Sequence, residues 1–344
     1  YHWLTWRHIL VYTMAVPDDT FLTNGVGRKV LEDCATTMDN LWTQAPYGDD
    51  GGWSSSGGEL IVLDMYHAAT GDPLAALLLG LKRTTLKSFR AGAFYGKAEP
   101  ALSTALDGLK LHPLDEAYYR HNPGLGTVPP LSNCFDKLSI RESLPPGALY
   151  LLLAGVNNGG HRHADANSVQ RFTQFGREWL VDGDYPKNQQ KYHSSLLLLV
   201  NGEAFPLPDY MELRGQGSNA DFAWVTVRAS GTAPADWLRH LVWLRKEAAW
   251  LVVDEVVAVT NGRFRLKQRW NGIGELAALP DGWQLDQKGS AMRLQTCGDL
   301  ALTQYDDADY GKPWAGYPHA RPIVRVLDQN LEAELKQGEK AQLA

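Results

Sequence analysis

The segment Asn122-Pro-Gly-Leu-Gly-Thr-Val-Pro-Pro130 divides this 344-residue chain into two kinds of sequence. Its prolines and glycines defeat both the helical and the strand period, so it reads as a linker. Upstream, apolar residues recur every three to four positions, in Val30, Leu31, Cys34 and Met38 and again from Glu59 through Tyr66. The second of these helices is expected to stop at Gly71-Asp-Pro73, with another starting at Leu74. Downstream, short β-rich runs follow one another closely: Phe135–Arg141, Ala148–Leu153, Ser168–Phe175, Ser195–Val200, Phe222–Val227, Leu238–Leu244, Trp250–Val257 and Phe264–Trp270. Glycine-containing turn sequences such as Asn201-Gly202 and Asn261-Gly262 separate them. The expectation is an α+β, multidomain chain: a helical part over 1–121, the linker over 122–130, and an antiparallel β-sandwich over 131–344.

Hydrophobic residues make up 44% of the chain, enough to bury a core in each part. The net charge of −6 supplies no general field for nucleic acid or an anionic membrane, so a polyanionic ligand needs a local basic pocket. The longest apolar runs, Leu74–Leu81 and Leu196–Val200, are far short of the roughly 20 residues of a membrane span. Three scattered cysteines, Cys34, Cys134 and Cys297, define neither a disulfide framework nor a cysteine-rich zinc motif. The chain begins at Tyr1 without methionine or a leader-like segment, and both ends read as cut from something longer. No G-x-S-x-G or G-x-x-x-x-G-K is present, and Asn24-Gly-Val-Gly27 lacks the third glycine and preceding strand of a dinucleotide site.

The richest chemistry lies in Gly160-His-Arg-His-Ala-Asp-Ala-Asn-Ser168, followed by Trp179-Leu-Val-Asp-Gly-Asp-Tyr185 and Tyr192-His-Ser194. On a strand, the two-residue spacing of His161, His163 and Asp165 places all three on one face. A strand Arg177–Val181, paired with Ser168–Phe175 across Gly176, returns Asp182 to the neighbourhood of His163, and a further strand begins at His193. Two imidazoles and a carboxylate suit zinc, with His163, Asp182 and His193 as the ligand set. An isolated H-x-H pair is, by itself, more often a pair of hydrogen-bonded residues near a turn.

Taken together, these segments resemble the C-terminal β-domain motif of the heparinase II/III-like polysaccharide lyases. That family reads H-x-H-x-D, then a strand ending V-D-x-G-x-Y, then a histidine opening an apolar strand. Here the matching residues are His161, His163 and Asp165, then Val181-Asp182 with Tyr185, then His193 before Ser194-Ser-Leu-Leu-Leu-Leu-Val200, with Gly183 directly after the aspartate. The similarity reaches upstream to Phe135-Asp-Lys-Leu-Ser-Ile-Arg141 and, more loosely, to Asp50-Gly-Gly-Trp53. The resemblance implies an incomplete (α/α) toroid, partial in this chain, before the sandwich, with substrate in the cleft between them. It implies cleavage of an acidic, uronate-containing polysaccharide by β-elimination, in a secreted or periplasmic location. In that reaction a base removes the C5 proton and the C4–O bond breaks to leave an unsaturated uronate, so the site must neutralise the carboxylate and the developing enolate-like charge.

By carry-over, His161 matches the catalytic histidine, and His163, Asp182 and His193 match the ligands of a mainly structural zinc, with Asp165 in support. The family's base is a tyrosine just past a loop at a helix start. This chain has Asp50-Gly-Gly-Trp-Ser-Ser-Ser-Gly-Gly-Glu59 there, leaving Tyr66, two helical turns on, as the candidate. Buried in a helix, the same tyrosine is an ordinary core residue. Arg141 and Arg162 are candidates to pair with substrate carboxylate or sulfate, and Trp53 to stack on a sugar ring. Two rival readings are a non-catalytic, zinc-stabilised carbohydrate-binding protein and a glycoside hydrolase using Asp49, Asp50 or Glu59.

Overall fold

The computed structural model describes residues 2–43, 52–53, 57–85, 106–122, 124, 128–157, 163–182, 189–229, 234–298 and 300–344. His161, Arg162 and Tyr185, and the loop carboxylates Asp49 and Asp50, lie outside them, as does the side chain of Glu59.

Five helices come first: α1 (His2–Ala15), α2 (Thr20–Thr23), α3 (Val26–Thr37), α4 (Gly57–Thr70) and α5 (Pro73–Thr85). The turn between the last two is built as its residues dictate. Gly71 takes φ +67° and its N–H donates to His67 O, ending one helix. Asp72 Oδ1 accepts from Leu74 N at 2.8 Å, and Pro73 occupies the first turn of the next. Trp6, Leu10, Leu31, Leu63, Leu77 and Leu78 are among the side chains that close the helical core.

The large sheet opens with a meander of β1 (Gly108–Pro113), β2 (Phe135–Arg141), β3 (Tyr150–Ala154), β4 (Val169–Gln174) and β5 (Arg177–Leu180). The strand β1 falls inside the part expected to be helical. Leu109-Lys-Leu-His112 alternates with the strand period, and this short run pairs antiparallel with β2, so the sheet begins before the 122–130 segment. Next come β6 (Leu196–Val200) and β7 (Glu203–Ala204), then the five-stranded sheet's β8 (Glu212–Ser218), β9 (Phe222–Ala229), β10 (Ala235–Leu244) and β11 (Ala249–Ala258). Beyond these, β12 (Gly262–Ile273) rejoins the large sheet, and β13 (Glu275–Leu279), β14 (Gly282–Gln287) and β15 (Ser290–Gln295) form a third, small sheet. The chain finishes with β16 (Ala301–Asp307) and β17 (Val324–Leu335) in the large sheet and β18 (Lys340–Leu343) beside β11.

The large and five-stranded sheets face each other as a sandwich. Leu151, Phe172, Trp179, Leu266 and Trp270 come from one side, and Val225, Trp237, Leu241, Trp243 and Val256 from the other. Burial alternates along β9 and β10, as expected for strands with one face toward a core. Among the described residues no helix is long and apolar enough to cross a membrane.

One edge of β12 carries two different partners. Gly272 pairs with Leu180 of β5, while Phe264–Gln268 pair with Leu196–Val200 of β6. The chain between β5 and β6 therefore leaves the sheet at Val181 and returns at Ser194. Those ends hold Asp182 and His193.

Candidate functional site

On β2 to β5 the face turned away from the sandwich core is buried yet polar: Ser139, Arg141, Tyr150, Arg171, Thr173 and Glu178. It lies against the helical part. Tyr150 Oη donates to Thr36 O at 2.7 Å. Arg141 donates to Met38 O at 2.5 Å and to the Asn40 side-chain oxygen. Asn40 in turn donates to Ser143 O and Ala148 O, both at 3.0 Å. Arg171 binds Glu178 through Nη1, places Nε 3.7 Å from Asp39 Oδ2, and donates weakly to Gly52 O at 3.4 Å. Asp39 is held for this contact by Leu41 N and Thr43 N, which donate to its Oδ1.

Burial pushes the Glu178 carboxyl up to about 7, although Arg171 pulls the other way. Trp314 Nε1 donates to Glu178 Oε1 at 3.0 Å, and Tyr317 Oη accepts from Glu178 N. Four atoms of the adjoining region, Ser139 Oγ, Thr173 Oγ1, Gln170 Oε1 and Asn271 Oδ1, are buried and without a hydrogen-bond partner among the described residues. Such atoms call for water or a polar ligand.

The second cluster sits where the sheet parts at β12. His193 Nδ1 is 2.6 Å from Asp182 Oδ1, and its Nε2 is 2.7 Å from the His163 carbonyl oxygen. Both partners are acceptors, so both ring nitrogens donate and the ring is an imidazolium. Burial opposes that charge, but Asp182 outweighs it and, helped by Asp165, lifts His193 to about 9. Several groups hold the pair. Tyr310 Oη donates to Tyr192 O at 2.5 Å and lies 3.5 Å from Asp182 Oδ1. Asn271 Nδ2 donates to Tyr192 O, and Arg269 Nη1 to Lys191 O. From the sandwich side Arg239, paired bidentately with Asp254, donates to Asn167 O and Ser194 O, tying together the segments after His163 and His193.

The expected pairing of Arg177–Leu180 with β4 holds, and it brings Asp182 beside His193 and the His163 main chain. The expected single strand face for His163 and Asp165 does not form. Residues 163–168 make turns, with Ala164 and Asn167 at φ +60°, because β4 begins only at Val169. Asp165 instead accepts from Gln170 Nε2 at 2.7 Å.

For the zinc set, the side chains of Asp182 and His193 are in contact, while His163 meets them through its carbonyl. Among the described residues no three His, Cys, Asp or Glu side chains converge in a way that could hold a metal ion. As placed, the donors suit an ion pair. Zinc here requires a neutral His193 ring with one of its two bonds released.

Tyr66 lies inside the helical core at 2% exposure, its ring 5.2 Å from that of Trp6, and burial raises its hydroxyl pKa. Arg141, at 1% exposure, is committed to the contacts with Asn40 and Met38. Trp53 is half-buried, packing edge-on against Tyr317, while its backbone N–H donates to Pro313 O. The sequence reading passed over Asp39, Asn40, Arg171 and Glu178. A signal existed in Val169-Gln-Arg-Phe-Thr-Gln174, a strand buried on both faces in which four of six residues, Gln170, Arg171, Thr173 and Gln174, are polar.

No family model matches this sequence, and no curated protein matches it. Among solved structures, a heparinase III gene product superposes with a TM-score of 0.65 at 11% identity, covering 92% of this chain and 44% of its own. The heparan sulfate lyase HepC from Pedobacter heparinus gives 0.61 at 12% identity, with 91% and 45% covered. A further heparinase III gives 0.61 at 11% identity, with 92% and 47% covered. The likeness is one of fold. The chain spans less than half the length of these proteins.

Proposed function

We propose that this chain forms the sandwich and adjoining helices of a polysaccharide lyase that cleaves an acidic, uronate-containing polymer by β-elimination, acting in a secreted or periplasmic setting. The observation that carries the reading is the buried Asp182–His193 pair gripping the main chain of His163. That bond anchors the described segment that begins at His163, directly after the His161-Arg162 pair to which the resemblance gives catalysis and substrate contact. The resemblance of the three sequence segments and the shared fold support the same reading.

In this scheme His161 takes part in removing the uronate C5 proton, the C5–H electron pair forms the C4–C5 double bond as the C4–O pair leaves on the departing oxygen, which takes up a proton from water, and Arg162 and Trp53 contact the substrate carboxylate and ring. Tyr66 is left out as base, because its hydroxyl is enclosed by the helical core. His163, Asp182 and His193 are the residues that would hold a structural zinc, which would brace this segment and supply no chemistry to the elimination.

The test is incubation with glycosaminoglycans, alginate and ulvan-type polymers, read by the ultraviolet absorbance of unsaturated uronate ends. His161→Ala should abolish that signal while leaving the far-ultraviolet circular dichroism unchanged. Folded protein that yields no unsaturated ends from any polymer refutes the lyase reading. A second reading, a non-catalytic carbohydrate-binding protein, is favoured by the burial of Tyr66. It requires saturable polymer binding without turnover.

A further inference from the structure

On the other side of the large sheet a cavity of about 460 Å³ opens into the sandwich core. Its position is set by strand alternation: Arg171 of β4 faces the helices, while Phe172 turns inward and lines the cavity. Trp179, Trp250 and Trp270 supply aromatic walls, and Leu241 and Val252 come from the facing sheet. Met292 and Leu294 of the small three-stranded sheet border it as half-buried side chains. The volume falls in the range of small-molecule sites.

Two polar atoms at this cavity have no hydrogen-bond partner among the described residues. Gln329, 2% exposed on β17, lines it with a buried Oε1 that accepts no hydrogen bond. Trp250 lines it with a buried Nε1 that donates none. Each orphan carries a desolvation cost that a matching ligand group removes. Gln268, by contrast, is already spent on Asp254 through its Nε2 at 2.8 Å. Arg293, among the lining residues, is exposed at the rim and donates to Gln284 Oε1, and the mainly apolar inner walls do not match a ring bearing several hydroxyls. A hydroxyl matches both atoms in kind, since it donates to a carbonyl-type oxygen and accepts from an indole N–H.

We propose that this cavity binds a small aromatic alcohol, its ring among the tryptophans and its hydroxyl between Gln329 Oε1 and Trp250 Nε1. The site is separated from the polar face by the thickness of the sheet, so it stands whether or not the chain is a lyase.

The experiment is isothermal titration calorimetry of the intact chain with 2-naphthol, and with 2-methoxynaphthalene, which keeps the ring system and lacks the O–H donor. Saturable one-to-one binding of 2-naphthol is expected, about tenfold tighter than the ether. Leu294→Trp, a change at a half-buried position on the small sheet, should fill the mouth and abolish binding of both. Gln329→Leu should erase the preference for the alcohol while leaving the ether bound. No saturable binding of 2-naphthol overturns the proposal, as does binding that Leu294→Trp leaves intact. Equal weakening of both ligands by Gln329→Leu, in protein shown to be folded by its near-ultraviolet circular dichroism, overturns the hydroxyl assignment.

Discussion

Replacing Glu178 by glutamine should make the protein relatively more stable as the pH rises. Glu178 holds its proton up to about 7, against an ordinary 4.5, because burial disfavours the carboxylate more than Arg171 favours it. The unfolded chain therefore releases this proton at lower pH than the folded one. Stability contributed by the protonated group is complete below about pH 4.5 and disappears as the pH climbs through about 7. At about 1.4 kcal/mol for each tenfold, the separation between 4.5 and 7 amounts to about 3 kcal/mol. Glutamine keeps the size and the acceptor for Trp314 Nε1 but does not titrate. The assay is urea unfolding of the parent and of Glu178→Gln at pH 5, 6, 7 and 8, followed by tryptophan fluorescence. The difference between them should move in favour of the variant by about 2.5 kcal/mol across that series, most of it between pH 5 and 7. A difference that stays constant, or moves the other way, refutes the claim that an uncompensated carboxylate lies between Arg171 and Trp314.

Asn40→Ala should cost about 2–4 kcal/mol, because the Ser143 and Ala148 carbonyls and the Arg141 guanidinium all lose a buried partner; chemical unfolding checks it. Gly282→Ala should destabilise by at least about 2 kcal/mol, since a Cβ there meets Leu294 O at 1.9 Å, and the thermal midpoint should fall accordingly. Elemental analysis should find one zinc per chain, removable by a chelator with a fall in melting temperature. Asp182→Asn and His193→Ala should each lower that content, and full occupancy in both variants would exclude this ligand set.

Most strands were legible because each needs only a short run with its own period. Leu196–Val200 announces itself as an apolar run that ends at a turn, and Asn201-Gly202 duly takes φ +55° and +90°. The Asp182–His193 encounter was legible for a related reason, since a tight hairpin at Gly176 fixes where the next strand ends. The docking of helices on sheet was not. Asp39, Asn40 and Arg171 look like surface residues one at a time, and only their convergence from positions over a hundred residues apart makes burial tolerable. The strand β1 was missed because six residues next to helical sequence offer too few periods to choose between templates. The turns at Ala164 and Asn167 depend on where β4 begins, which side-chain spacing alone does not encode.

The split edge of β12 has an engineering consequence. Val181 N donates to Asn271 O on one side, while Arg269 N donates to Ser195 O and Asn271 N to Ser194 Oγ on the other. Both feet of the excursion thus stand on three consecutive residues of a single strand. A change at Arg269 or Asn271 therefore disturbs the end of one partner strand and the start of the next together.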